Sequence, residues 1–172
     1  MASETKSLPL HVVLTGLLSL AFDAMITEFR EKVEDSEFDD IRPTHACVFR
    51  YVRGSGLRLT DIAELTNMTK QSVGEVVDDL VERGYVERIP DPADGRAKLI
   101  CLTQRGTEAQ EFGFDTFAAI EDRWAERFGA ERIAGLREIL EEIVATEAPY
   151  AVPEIQPGMI TSRGGLGECE AT

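Results

Sequence analysis

The chain has 172 residues, 43% hydrophobic and 29% charged, and a formal net charge of −14. This length and apolar content suit one compact domain with appendages and exclude a fully disordered chain. Apolar runs stay far below the ~20 residues of a membrane span, and we expect no secretory signal. Three widely spaced cysteines, Cys47, Cys101 and Cys169, favour a reducing cytoplasm over a disulfide framework.

The negative charge is unevenly distributed. Between Thr44 and Gly106 nine Lys and Arg residues balance nine Asp and Glu residues, so the acidic excess lies in the flanks. A neutral centre is compatible with a focused DNA contact, and it argues against a broad, non-specific polyanion binder.

The N-terminal third predicts two helices. Apolar residues spaced three and four apart indicate a long amphipathic helix from Leu10 to Val33. Its apolar stripe is too long for one small domain to cover, which favours a homodimer. The acidic segment from Glu34 to Asp40 predicts a loop, and Pro43 opens a second helix that reaches about Val52.

A compact helix pair follows. Its first helix has either Thr60 or Asp61 as cap, and its inner face consists of Leu59, Ile62, Ala63 and Leu65. The segment Thr66–Met68 predicts a tight turn, in which Asn tolerates the left-handed conformation. Thr69 is then the expected cap of the second helix.

The periodicity then changes from helix to strand. Gly84 predicts the end of the second helix. Two strands, Tyr85–Ile89 and Lys98–Leu102, enclose the turn-rich segment Pro90–Arg96 and predict a β-hairpin. Thr103 is the expected cap of the next helix.

Two long helices complete the ordered part of the chain. The first contains four aromatic residues that we expect in a core or dimer interface rather than a ligand pocket: Phe112, Phe117, Trp124 and Phe128. After Gly129 the last helix carries Ile133, Leu136, Leu140 and Ile143 at heptad-like spacing. The segment after Ala148 has little periodicity and predicts a flexible tail.

This order predicts a mainly α fold with a small β-hairpin wing (α+β): a winged helix-turn-helix with long N- and C-terminal dimerisation helices. Residues 8–42 form the N-terminal dimerisation helix and loop, and residues 43–106 the winged helix-turn-helix DNA-binding domain. Residues 107–147 are the C-terminal dimerisation helices, and residues 148–172 the tail.

The second helix of such a pair enters the major groove of DNA. Its first turn offers hydroxyls and Lys for phosphate or guanine and Gln for adenine. The expected contacts are Thr69, Lys70, Gln71 and Ser72. Phosphate repels the acids that follow, so we expect only the first turn and a half to enter deeply. These acids are Glu75, Asp78 and Asp79.

The hairpin tip is the second expected contact. Arg96 on a narrow loop can reach the minor groove, where the potential favours Arg. We expect Asp94 to orient the Arg96 guanidinium and Lys98 to hold the neighbouring phosphate. Arg53 and Arg58 lie near this face, and plain surface charge is the slightly favoured interpretation for both.

Four segments together resemble the MarR family of regulators: Leu59–Ala63, Thr69–Val73, Gly84–Arg88 and Asp91–Thr103. The most specific is the wing pattern D-x-R-A-K-x-I/L-x-L-T, here Asp94–Thr103. The resemblance implies a homodimer whose first and last helices interlock. It also implies binding to a short palindromic double-stranded DNA operator, usually with repression relieved by a small ligand or by oxidation.

Two other functions stay open. The acids of the second helix and the acidic flanks favour a winged-helix protein-interaction module without DNA binding. A thiol-based redox sensor would use Cys47 or Cys101. We expect no enzyme, cofactor, metal site or membrane partner, because nucleophile, phosphate-loop and metal motifs are lacking.

Overall fold

The structure, a computed structural model, describes residues 13–147, and its two units divide between Asp39 and Asp40. The first unit contains helix α1 (Leu14–Glu34), which confirms the predicted long helix from Leu14 onward. Several of its large apolar side chains are exposed: Leu14, Leu17, Leu18, Leu20 and Phe22. Residues 10–12 of the predicted helix and the predicted tail lie outside the described residues.

The second unit combines helices with a small sheet and confirms the predicted winged helix-turn-helix. Its elements are a 3-10 turn (Pro43–His45), α2 (Ala46–Tyr51), β1 (Leu57–Arg58), α3 (Leu59–Thr66), α4 (Lys70–Glu82), β2 (Val86–Asp91), β3 (Asp94–Leu102), α5 (Gln104–Phe128) and α6 (Ala130–Glu147). None of the helices within residues 13–147 has the length and apolar character of a membrane span.

The sheet has three antiparallel strands in the order β1-β3-β2. The hairpin was predicted, but β1 was not, because two residues show no periodicity. Leu57 pairs with Ile100 and Arg58 with Leu99, so β1 ties the start of α3 directly to the wing.

The core of this unit lies between the helix pair, α2 and the base of the sheet. Its fully buried side chains include Val48, Val52, Ile62, Val73, Val77, Leu80, Tyr85 and Ile100. On α4 the buried residues Val73, Val77 and Leu80 are spaced three and four apart, which places them on one side of the helix and leaves the opposite side polar.

The turn and capping residues predicted from the sequence lie at several of the helix ends in the structure. Asn67 adopts the left-handed conformation with φ 52°, and the hydroxyls of Thr69 and Thr103 accept hydrogen bonds from Ser72 N and Gly106 N. The predicted cap of α3 was wrong. This helix already begins at Leu59, so Thr60 lies inside it and its hydroxyl donates to Asp61.

Gly106 allows the first turn of α5 to approach the chain at the end of α4. A Cβ at this position would lie 1.9 Å from the carbonyl oxygen of Tyr85. Backbone atoms on both sides of the contact prevent local relief, so only glycine fits this crossing.

We therefore expect Gly106→Ala to lower the free energy of unfolding by about 3 kcal/mol or more, since overpacking against backbone exceeds the usual ~1–3 kcal/mol. Urea unfolding at fixed protein concentration measures this loss. Gly95→Ala is the matched control, because a Cβ there meets nothing within 4 Å. Equal stability of the two variants would contradict the close approach.

Candidate nucleic-acid interface

The first turn of α4 presents polar side chains at its N-terminal end. Thr69, Lys70 and Gln71 are exposed, and Ser72 is half-buried. The Thr69 hydroxyl caps the helix and lies 2.8 Å from the Ser72 hydroxyl, so these two groups hold each other. Lys70 and Gln71 extend beside a helix terminus whose partial positive charge favours anions.

Three of the four acidic side chains of α4 have polar partners. Glu75 accepts a hydrogen bond from Gln71 Nε2 at 3.2 Å, and Asp78 forms an ion pair with Arg88 at 2.7 Å. Asp79 Oδ2 lies 3.0 Å from Arg83 Nε and 2.7 Å from His45 Nε2. These contacts reduce the repulsion that the acids exert on an approaching phosphate.

Asp79 remains ionised under all ordinary conditions. The ion pair with Arg83, followed by the hydrogen bond with His45, lowers the pKa of Asp79 to about 2, although partial burial opposes the shift. Its side chain is 27% exposed, so it faces the protein rather than the open surface of α4. Sequence analysis had grouped it with the outward acids, and only the fold separates them.

A polar cluster closes the C-terminal end of α4. Tyr85 OH donates to Asp40 Oδ1 at 2.5 Å, and Arg105 Nη2 lies 3.0 Å from Tyr85 OH and 3.3 Å from Asp40. Arg83 Nη1 approaches the same carboxylate at 3.5 Å. Burial disfavours the ionised form of Asp40, but the hydrogen bond from Tyr85 and the charge of Arg105 outweigh it and lower its pKa. Burial also raises the pKa of Tyr85 to about 12, so the phenol stays a donor.

The wing places two cations on one strand face. Arg96 and Lys98 are exposed and two residues apart on β3, so their side chains point to the same side. The structure corrects the predicted tip: β2 continues to Asp91 and β3 begins at Asp94, so Arg96 lies in a strand and not in the loop. The ladder hydrogen bonds of a short hairpin extend further than its turn-forming composition indicates.

The two aspartates of the wing accept hydrogen bonds from backbone N–H groups and from Arg58 of β1. Asp94 Oδ1 accepts from the backbone N–H of Arg96 at 3.1 Å, whereas the sequence predicted a contact with its guanidinium. Asp91 accepts from Ala93 N at 2.8 Å and from Arg58 Nε at 2.7 Å. These bonds, that from Ala93 first, lower the pKa of Asp91.

The sequence predicted the exposed cations of α4 and the wing, but not the buried contacts that fix the positions of these two elements. Arg58 was interpreted as surface charge, yet it binds the buried Asp91 and so fixes the base of the wing. The sequence assigned no role to His45. Both contacts join residues more than 30 positions apart, and no local spacing could have found them.

We expect the pKa of Asp79 to govern part of the acid unfolding. Because its folded pKa of about 2 lies below the ordinary 3.8, its contribution to stability is complete above pH 3.8 and disappears as the pH falls towards 2. Unfolding free energies of wild type and Asp79→Asn, measured by urea titration across this range, should converge at the acidic end. A constant difference between the two proteins down to pH 2 would argue against the shift.

Comparisons with known proteins agree with this geometry. A model of the MarR family matches residues 39–97, which span the helix pair and most of the wing. The HTH-type transcriptional regulator PetP of Rhodobacter capsulatus is 27% identical over 133 residues, covering 74% of this chain and 80% of PetP.

Two solved structures have the same fold. CouR from Rhodococcus jostii, bound to p-coumaroyl-CoA, is 22% identical with a TM-score of 0.63, covering 88% of this chain and all of CouR (100%). A MepR variant from S. aureus, bound to an oligodeoxyribonucleotide, is 21% identical with a TM-score of 0.55, covering 77% of this chain and 96% of MepR. With the element order and the wing motif, these matches show that the chain is similar to MarR-family transcription regulators and has their winged helix-turn-helix fold.

Proposed function

We propose that the chain is a sequence-specific DNA-binding regulator that acts as a homodimer on a palindromic operator. The first turn of α4 enters the major groove, and Arg96 of the wing reaches the adjacent minor groove. The two recognition helices of the dimer then meet half-sites about one helical turn apart.

One observation carries this proposal. Within residues 43–106, all of which the structure describes, the side chains of Lys70, Arg96 and Lys98 form no ion pair. Four of the other six Lys and Arg residues of this segment pair with a carboxylate, namely Arg58, Arg83, Arg88 and Arg105. Unpaired, exposed cations, one of them at a capped helix terminus and two on the wing, are suited to phosphate and base edges.

The partners of the acids on α4 support DNA binding over a pure protein-interaction module. Asp78 and Asp79 pair with cations of the same chain, so their negative charge is partly compensated. Glu75 accepts a hydrogen bond from Gln71 Nε2, and Gln71 can exchange this contact for one with a base edge.

Exposed apolar side chains on α6 support the dimer. Leu136, Ile139 and Ile143 recur at spacings of three and four and are 44–58% exposed, with Val144 beside them. A contiguous apolar face of this kind fits a second copy of the chain, which would cover the same face by twofold symmetry.

We further propose that a small-molecule effector regulates DNA affinity by changing the separation of the two recognition helices. The ligand-bound state of CouR supports this part of the proposal. A thiol sensor based on Cys47 is disfavoured, because burial raises the pKa of its thiol and the sulfur donates to Thr44 O.

The DNA contact is tested with a duplex selected from a random library by the wild-type protein. We expect Arg96→Ala to weaken binding by about 1–3 kcal/mol, and Lys70→Ala to reduce the slope of log K against log salt by about 1. Fluorescence anisotropy at several salt concentrations gives both quantities. Lys32→Ala removes the same charge from α1 and should bind like wild type. Failure to select any duplex would refute the proposal.

The dimer interface is tested on the most exposed apolar residue of α6. We expect Ile139→Asp to halve the mass in solution, because a carboxylate cannot be buried unpaired against a second copy. Light scattering after size exclusion measures the mass. Ala134→Asp adds the same charge on another face of α6 and should remain dimeric. A monomeric wild type would exclude the twofold mode of binding.

A further inference from the structure

His45 joins the segment before α2 to the recognition helix through both nitrogens of its ring. The side chain is 1% exposed. Nδ1 accepts from the backbone N–H of Arg42 at 3.1 Å, and Nε2 lies 2.7 Å from Asp79 Oδ2 on α4. A buried polar side chain with a partner on each side fixes the distance between the two elements that it bridges.

These partners determine the protonation of the ring. A nitrogen that accepts from a backbone N–H carries no proton, so the single proton is on Nε2 and is donated to Asp79. The charged groups around His45 are Asp79 of α4, Arg83 directly after α4, and Arg42 of the preceding segment. Burial, assisted by the two arginines, outweighs Asp79 and lowers the pKa of His45.

The hydrogen bond between His45 and Asp79, the His45 bridge, holds one side of α4. Asp79 and Lys70 are nine residues apart, which places them about half a turn from each other around the helix axis. A rotation of α4 about its axis that moves Asp79 away from His45 therefore also changes the direction of Lys70.

The bridge also continues to the next elements. Arg83 contacts both Asp79 and Asp40, and Asp40 is held by Tyr85 and Arg105 at the start of α5. The segment from Asp40 to His45 is thus connected to the recognition helix at two points, one turn of α4 apart.

We propose that His45, as a neutral imidazole that donates from Nε2 to Asp79, is a positioning residue that holds the recognition helix in the orientation required for DNA binding. This inference rests on the proposed DNA-binding function. Protonation at Nδ1 removes the acceptor of the Arg42 N–H and sets one donor against another, so the charged ring loses its fixed position between Arg42 and Asp79 although its contact with Asp79 persists.

The first experiment compares two charge-matched variants, Asp79→Asn and Asp78→Asn, on the duplex selected by wild type. Both remove one negative charge from α4, and simple electrostatics would make both bind more tightly. We expect Asp78→Asn to bind at least as tightly as wild type. We expect Asp79→Asn to bind about tenfold more weakly than Asp78→Asn, the loss of one charge-assisted hydrogen bond. Equal affinities of the two variants would overturn the proposal.

The second experiment uses the pH profile of binding, which a merely structural role would not change. Between pH 7.5 and 5 we expect wild type to lose affinity relative to His45→Gln, because Gln keeps an N–H donor but does not titrate. Parallel profiles of the two proteins would contradict the role of the neutral ring. A wild type that selects no duplex would instead refute the proposed function, and imidazole nitrogen NMR would then still report whether Nε2 carries the proton.

Discussion

The negative charge of Asp79 lies between α4 and the segment before α2, and the packing at the C-terminal end of α4 depends on the groups that contact this carboxylate. A carboxylate in this place is stable only with donors on several sides, and His45 and Arg83 provide them. Arg83 in turn faces Asp40, which Tyr85 and Arg105 hold. A chain of alternating charges and donors therefore closes the end of α4 and the beginning of α5.

This arrangement separates two kinds of cation in a segment that has no net charge. Arg58, Arg83, Arg88 and Arg105 are engaged with carboxylates of the same unit and maintain its shape. Lys70, Arg96 and Lys98 lack such partners in the part of the chain that the structure describes. The proposed DNA contact thus uses cations that contribute little to the fold, and the acidic composition of the whole chain does not oppose it locally.

Sequence alone predicted the order of the elements, the Thr69 and Thr103 caps and the left-handed turn at Asn67, because each depends on neighbouring residues. It predicted the wing but placed Arg96 in the turn, since proline and glycine composition does not reveal how far ladder hydrogen bonds extend. It missed β1, and it missed the roles of Arg58 and His45. Those roles arise from contacts across more than 30 residues, which only the packing of α4 and the sheet creates.

The two-residue strand β1 restricts how the hairpin can move relative to α3. It is hydrogen-bonded to β3 and continues without a break into α3, while Arg58 within it grips Asp91 at the far end of β2. The hairpin therefore cannot swing freely like a flap hinged only at its own two ends. A displacement of α3 is therefore transmitted to the hairpin through β1, and the distance between α3 and the wing is fixed by these contacts.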